Sequence, residues 1–124
     1  MSNSASNLPP DLLRLCQLHP PKLFLVLGSG YGSIAEKFQN RHSWPFSHLP
    51  QISATTVPGH KGCLTHAHFN NETLLISEGR IHSYEGYSKQ IVTATTRIAY
   101  SLGCHTGIFT NAAGGISPNL NPGS

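Results

Sequence analysis

Lys22-Leu23-Phe24-Leu25-Val26-Leu27-Gly28-Ser29-Gly30-Tyr31-Gly32 is the stretch that decides the fold. Its first six residues make the compact apolar run expected of a buried strand, and the run opens directly into a glycine loop. Ser33 to Phe38 then read as helical. Strand, glycine loop and helix in that order are the repeating unit of α/β sheets, whose ligands sit beyond the carboxyl ends of strands. The loop offers backbone N–H groups, the Ser29 hydroxyl and a helix N-terminus to an anion. Gly28, Gly30 and Gly32 alternate, so the loop has neither the GxGxxG spacing of a dinucleotide site nor the lysine of a P-loop. Taken alone, the loop fits a tight strand-to-helix turn as well as an anion cradle.

The same order recurs near the other end of the chain. Thr106-Gly107-Ile108-Phe109-Thr110 reads as a second buried strand, and it opens into the small-residue loop Asn111-Ala112-Ala113-Gly114-Gly115. Such a loop lets a planar ligand lie against backbone, and close packing of elements accounts for it equally well. Between the two units, Cys63 to Phe69 and Thr73 to Ser77 flank Asn70-Asn71, a pair that tolerates left-handed backbone, and so predict a hairpin. Ser88 is a candidate N-cap for one helix of about four turns carrying Ile91, Thr95, Ile98 and Leu102, which Gly103 stops. Upstream, Pro9-Pro10-Asp11 with Leu12, Leu13, Leu15 and Leu18 predicts a short amphipathic helix halted by Pro20-Pro21. Arg41 to Gln51 reads as irregular, and Ile52 to Val57 as a short strand before the turn Pro58-Gly59-His60-Lys61-Gly62. Together these predict an α/β fold, a mixed sheet with helices on its faces.

Chemistry concentrates in Glu78-Gly79-Arg80-Ile81-His82-Ser83-Tyr84-Glu85-Gly86-Tyr87. A guanidinium forks onto phosphate oxygens, and a His two positions later in extended chain emerges on the same side, so Arg80 and His82 can converge on one oxyanion. The alternative is a polar edge strand running into a loop. Composition narrows the partners. Eight Lys and Arg against five Asp and Glu give a formal charge of +3, scattered singly, which suits a small anion and lacks the basic patch of a nucleic-acid binder. Charged residues make up 10% of the chain, against roughly 25% in ordinary globular domains, so much of this surface is expected to pack against something else. Cys16, Cys63 and Cys104 are far apart and odd in number, which points to reduced thiols and a cytoplasmic setting. No signal-peptide pattern and no membrane-spanning run is visible.

Four blocks, Gly28-Ser29-Gly30-Tyr31-Gly32, Val57-Pro58-Gly59-His60-Lys61-Gly62, Gly79-Arg80-Ile81-His82-Ser83-Tyr84-Glu85-Gly86-Tyr87 and Thr110-Asn111-Ala112-Ala113-Gly114-Gly115, resemble in order the motifs of the trimeric, low-molecular-mass purine nucleoside phosphorylases. The resemblance implies a nucleoside-phosphorylase fold and the reversible phosphorolysis of inosine- or guanosine-type nucleosides to free base and (deoxy)ribose 1-phosphate, a pentosyltransferase reaction. Inorganic phosphate would be co-substrate, with no cofactor and no metal, and the assembly a homotrimer serving purine salvage. Family members are more than twice as long, so residues 1–124 are expected to form a single N-terminal portion of one such domain, without the C-terminal half. The groups that recognise the leaving purine lie in that half, so turnover by this stretch alone is not expected. Related methylthioadenosine phosphorylases share Gly79-Arg80-x-His82, but a threonine in the first glycine loop would mark them, and Ser29 stands there. A non-catalytic anion- or nucleotide-binding module is the alternative from another class.

Carried over residue by residue, the resemblance implies that Ser29, Arg80, His82 and the Ala112 amide hold phosphate, with His60 closing over it. Ser29, Arg80 and His82 would form the catalytic set. Tyr84 would line the ribose, and Ala112, Ala113 and Gly114 would lie along the substrate. Cleaving an N-glycosidic bond builds positive charge on the sugar, which a phosphate fixed beneath it stabilises and attacks, so donors to phosphate are the side chains expected. Other residues read more simply. His66 and His68 share one strand face, either as two metal ligands lacking a third or as an ordinary solvated face. Cys63 and Cys104 read as small core residues. Glu85 lacks the partner that carboxylate-pair glycosidase chemistry needs, and Glu78 reads as structural.

Overall fold

A computed structural model describes residues 7–52 and 62–123. His60 and most of the expected strand from Ile52 to Val57 lie outside the described residues. Helix α1, Pro10–Leu18, begins with proline in its first turn, where the missing N–H costs nothing, and buries Leu12 and Cys16 one turn apart. Asp11 in that turn accepts a hydrogen bond from Trp44 Nε1 at 3.0 Å, tying the helix to the sheet.

The sheet holds β1 Leu23–Leu27, β2 Gln39–Pro45, β3 Cys63–Phe69, β4 Glu72–Glu78 and β5 Thr106–Phe109, in the spatial order β2-β3-β4-β1-β5. The pairs β2–β3 and β3–β4 are antiparallel, whereas β1 is parallel to both β4 and β5. β1 is an interior strand with a neighbour on each side, and its sequence is apolar on both faces. Asn70 and Asn71 both take positive φ, 48° and 68°, and close the β3–β4 hairpin as the Asn pair predicts.

Helix α2, Lys89–Val92, is capped by the Ser88 hydroxyl, and α3, Ala94–Ser101, follows it. The single helix expected over this region is thus broken at Thr93. The Thr93 hydroxyl donates to Lys89 O at 2.7 Å and accepts from Arg97 Nε at 3.2 Å, so the side chain competes with the ladder where it sits. Gly103, at φ +115°, supplies the expected stop. Two further expectations need correction. Ser33 to Phe38 is not an α-helix: Gly32–Lys37 forms a 3-10 helix, because β2 begins at Gln39 and leaves no room for a longer turn. Arg41 to Pro45, read as irregular, belongs to β2, whose residues are exposed except Trp44 and so show no alternation.

Side chains pack on both sheet faces. Phe24, Val26, Leu64 and Leu75 meet Leu12 of α1 and Ala94, Ile98 and Ala99 of α3 on one side. Leu27, Ala67, Leu74 and Ile76 meet Ala35 of the 3-10 helix on the other. His66 sits in the first layer and is fully buried, so the solvated strand face expected for His66 and His68 is wrong for His66. Its Nε2 lies 2.9 Å from His19 O at the end of α1; a carbonyl only accepts, so Nε2 carries the proton and Nδ1 is left without a partner. Among the described residues no three His, Cys, Asp or Glu side chains are placed to share a metal ion, and no helix is long and apolar enough to cross a membrane. All four β5 residues are exposed, and among the described strands β5 pairs with β1 alone.

Candidate functional site

The two glycine loops meet at the carboxyl ends of β1 and β5. Gly28 N–H donates to Thr110 Oγ1 at 2.9 Å, and that hydroxyl donates to Val26 O at 2.7 Å. A Cβ on Gly28 would stand 2.6 Å from Thr110 O and 3.1 Å from Asn111 Cα, so only glycine permits this approach. On the other flank of β1, Gly79 N–H donates to Leu27 O at 3.3 Å. Gly79 has φ +100°, a value that ends β4 and turns the chain into the Arg80 segment. Ser77 Oγ pins the turn through a 2.7 Å bond to Gly79 O. Three neighbouring strand ends thus deliver three loops to one rim.

Between the Gly28–Gly32 loop and the Glu78–Glu85 segment lies a cleft of about 470 Å³, lined by Ser29, Glu78, Arg80, His82, Tyr84 and Glu85 among others. Ser29 and Arg80 are exposed, and neither makes a hydrogen bond or ion pair with a described residue, so both are available to a ligand. His82 is held more firmly. Its backbone N–H donates to Glu85 Oε2 at 2.6 Å, and its ring Nδ1 lies 3.6 Å from the same oxygen. The imidazole stacks on Tyr84 with ring centres 4.8 Å apart and planes 26° from parallel. Tyr84 is 82% exposed, so its outer face is free to meet an apolar or sugar surface. A second cleft of about 370 Å³ shares Arg80, His82 and Tyr84 and extends across to Val26, Thr93 and Phe109.

Of the residues expected in the site, Ser29, Arg80, His82 and Tyr84 therefore line one cleft. Ala112, Ala113 and Gly114 are exposed and line neither cleft; their loop is joined to the site where Thr110 and Asn111 abut Gly28. Two carboxylates were underrated from sequence. Glu85 caps the turn that carries His82, a role written in the three-residue spacing of His82 and Glu85. Glu78 lines the cleft and accepts a hydrogen bond from Thr65 Oγ1. The Cys63 thiol lies beside it, and burial first, with this carboxylate as a further cause, raises the thiol pKa. Burial likewise pushes the Cys16 thiol up to about 12 and the Cys104 thiol to about 11, which removes both as nucleophiles near neutral pH.

No protein-family model matches the chain. It is 39% identical over 103 residues to purine nucleoside phosphorylase 1 of Geobacillus stearothermophilus, covering 83% of this chain and 38% of that protein. It is 35% identical over 113 residues to the purine nucleoside phosphorylase of Rattus norvegicus, covering 91% of this chain and 39% of that protein. Among solved structures, isoform 2 of purine nucleoside phosphorylase from Schistosoma mansoni, in complex with cytosine and ribose-1-phosphate, superposes with a TM-score of 0.81 at 32% identity. That match covers 94% of this chain and 41% of the other. The chain spans about two-fifths of the length of the curated relatives it matches. In sequence and in fold, then, it is a relative of the purine nucleoside phosphorylases, alike along most of its own length and along less than half of theirs.

Proposed function

We propose that this chain supplies the phosphate side of a purine nucleoside phosphorylase site. One observation carries the reading: Ser29, Arg80 and His82, from two loops far apart in sequence, line a single cleft with Tyr84 beside them. In the proposed reaction Arg80 forks onto phosphate, His82 and the Ser29 hydroxyl donate to it, and Tyr84 flanks the ribose. A phosphate oxygen forms a bond to C1′ of the nucleoside as the bond from C1′ to the purine nitrogen breaks. The base departs with the electron pair and takes up a proton. The phosphate dianion beneath the sugar stabilises the positive charge that develops there. Glu85 holds the His82 backbone and ring from behind, so the imidazole is presented to the cleft in one orientation.

The names of the relatives support a purine nucleoside over a methylthioadenosine substrate, as does Ser29 in the first glycine loop. In the same reading the enzyme works in purine salvage in the cytoplasm as a homotrimer, His60 and the Ala112 amide complete the phosphate shell, and Ala113 and Gly114 approach the purine. Calorimetric titration with inorganic phosphate, followed by incubation with inosine, tests the reading. Phosphate should bind. Any hypoxanthine should appear only when phosphate is present, together with ribose 1-phosphate. A chain that binds inosine and releases it unchanged in the presence of phosphate, once extended to the relatives' length, would instead be a binding module.

A further inference from the structure

Glu78 is an odd neighbour for an anion. It lines the same cleft as Ser29, Arg80 and His82, yet it brings a carboxylate to a place read as holding phosphate. The carboxylate is also built in. Ser43 Oγ and Thr65 Oγ1 lie 2.7 Å apart, and Thr65 Oγ1 donates to Glu78 Oε2, so Thr65 accepts from Ser43 and a chain of hydroxyls crosses β2 and β3 to reach the end of β4. Thr65 is fully buried, which fixes that chain in place. An ionised carboxylate has about four acceptor positions. Thr65 fills one and the Cys63 thiol can fill at most one more, so acceptor capacity remains for whatever enters the cleft.

We propose that Glu78 makes the cleft selective for an oxyanion that still carries a proton, phosphate or arsenate over sulfate. The inference rests on the reading of this cleft as a phosphate site. Phosphate at neutral pH retains at least one P–OH group, which can donate to Glu78 while Arg80, His82 and Ser29 satisfy the other oxygens. Sulfate has no proton to give, so its lone pairs would face those of the carboxylate. An acceptor that cannot be satisfied is penalised more heavily than a missing bond, and here both groups are charged.

Calorimetric titration of the chain with inorganic phosphate and, separately, with sulfate at pH 7 tests this. The unmodified chain should bind phosphate at least about tenfold more tightly than sulfate, the discrimination expected of one charge-assisted hydrogen bond kept or lost. Glu78→Gln keeps the shape and the acceptor for Thr65 and adds an N–H donor, so sulfate should tighten and the two affinities should come within about threefold. Thr65→Val, which frees the carboxylate from its hydroxyl chain, should weaken the preference less. Equal affinities in the unmodified chain, or a preference unchanged in Glu78→Gln, would overturn the role of Glu78 and leave the phosphate cleft standing. Failure of both anions to bind would overturn the cleft itself and this inference with it.

Discussion

Arg80 is the group on which anion affinity should depend most, since it is exposed at the cleft rim, permanently charged and free of any described partner. Arg80→Ala should weaken the binding of inorganic phosphate by at least about tenfold, a charge-assisted pair being worth roughly 1.5 to 3 kcal/mol. An unchanged phosphate affinity in titration calorimetry would remove Arg80 from the site. Glu85 should act at one remove. Glu85→Gln retains an acceptor for the His82 amide and deletes the charge 3.6 Å from Nδ1. Because that pair is partly exposed, the loss in phosphate affinity should stay within about fivefold. An unchanged phosphate affinity in Glu85→Gln would show that Glu85 is only a cap. That Arg80, His82, Ser29 and Tyr84 belong together was legible because their types are those expected around an oxyanion and a sugar, and they do line one cleft. The cap by Glu85 was written in its spacing from His82, whereas the place of Glu78 was not legible, since its donor Thr65 lies on another strand.

At the scale of elements, the site depends on β1 and β5 ending side by side. Gly28→Ala would press a methyl carbon against Thr110 O and Asn111 Cα, and both contacts are backbone that cannot rotate away. Destabilisation of about 1 to 3 kcal/mol should follow, read as a lower urea midpoint with an unchanged slope. Full stability in Gly28→Ala would mean the loops do not meet as described. The same elements show what a sequence reveals. β1 and its loop were readable because a strand buried on both faces must be a continuous apolar run. β2 was not, because its exposed polar residues are held by pairing with β3, and no local pattern encodes a partner strand. The break between α2 and α3 was hidden for a related reason: the apolar spacing runs on through Thr93, while the break depends on a hydroxyl turning back onto the chain.

At the scale of the whole molecule, two features outside the cleft should govern behaviour in solution. His66 is buried with its Nδ1 unpartnered, and burial, followed by the nearby His68, His19 and His42, lowers its pKa from 6.5 despite the bond to His19 O. The folded state therefore binds this proton less readily than the unfolded chain. Stability from His66 is fully present above about pH 6.5 and drains away as pH falls toward the lower folded value. Urea midpoints should drop between pH 7 and pH 5, and His66→Gln should flatten that slope. A slope untouched by His66→Gln would place the proton uptake elsewhere. The second feature is the exposed β5 edge, with Ile108 and Phe109 at the surface. An unpaired apolar edge invites pairing with another copy, so the chain should self-associate with rising concentration in sedimentation experiments, and Ile108→Lys should suppress this. Association unaffected by that charge would point to another surface.

The claim beneath all of this is that loops distant in sequence converge on one inorganic anion. A crystal structure of the chain grown with phosphate tests it directly. One phosphate should sit in the cleft, with its oxygens within hydrogen-bond distance, roughly 2.6 to 3.2 Å, of Ser29 Oγ, the Arg80 guanidinium and the His82 ring. Phosphate bound elsewhere at saturating concentration, with that cleft filled only by water, would contradict it.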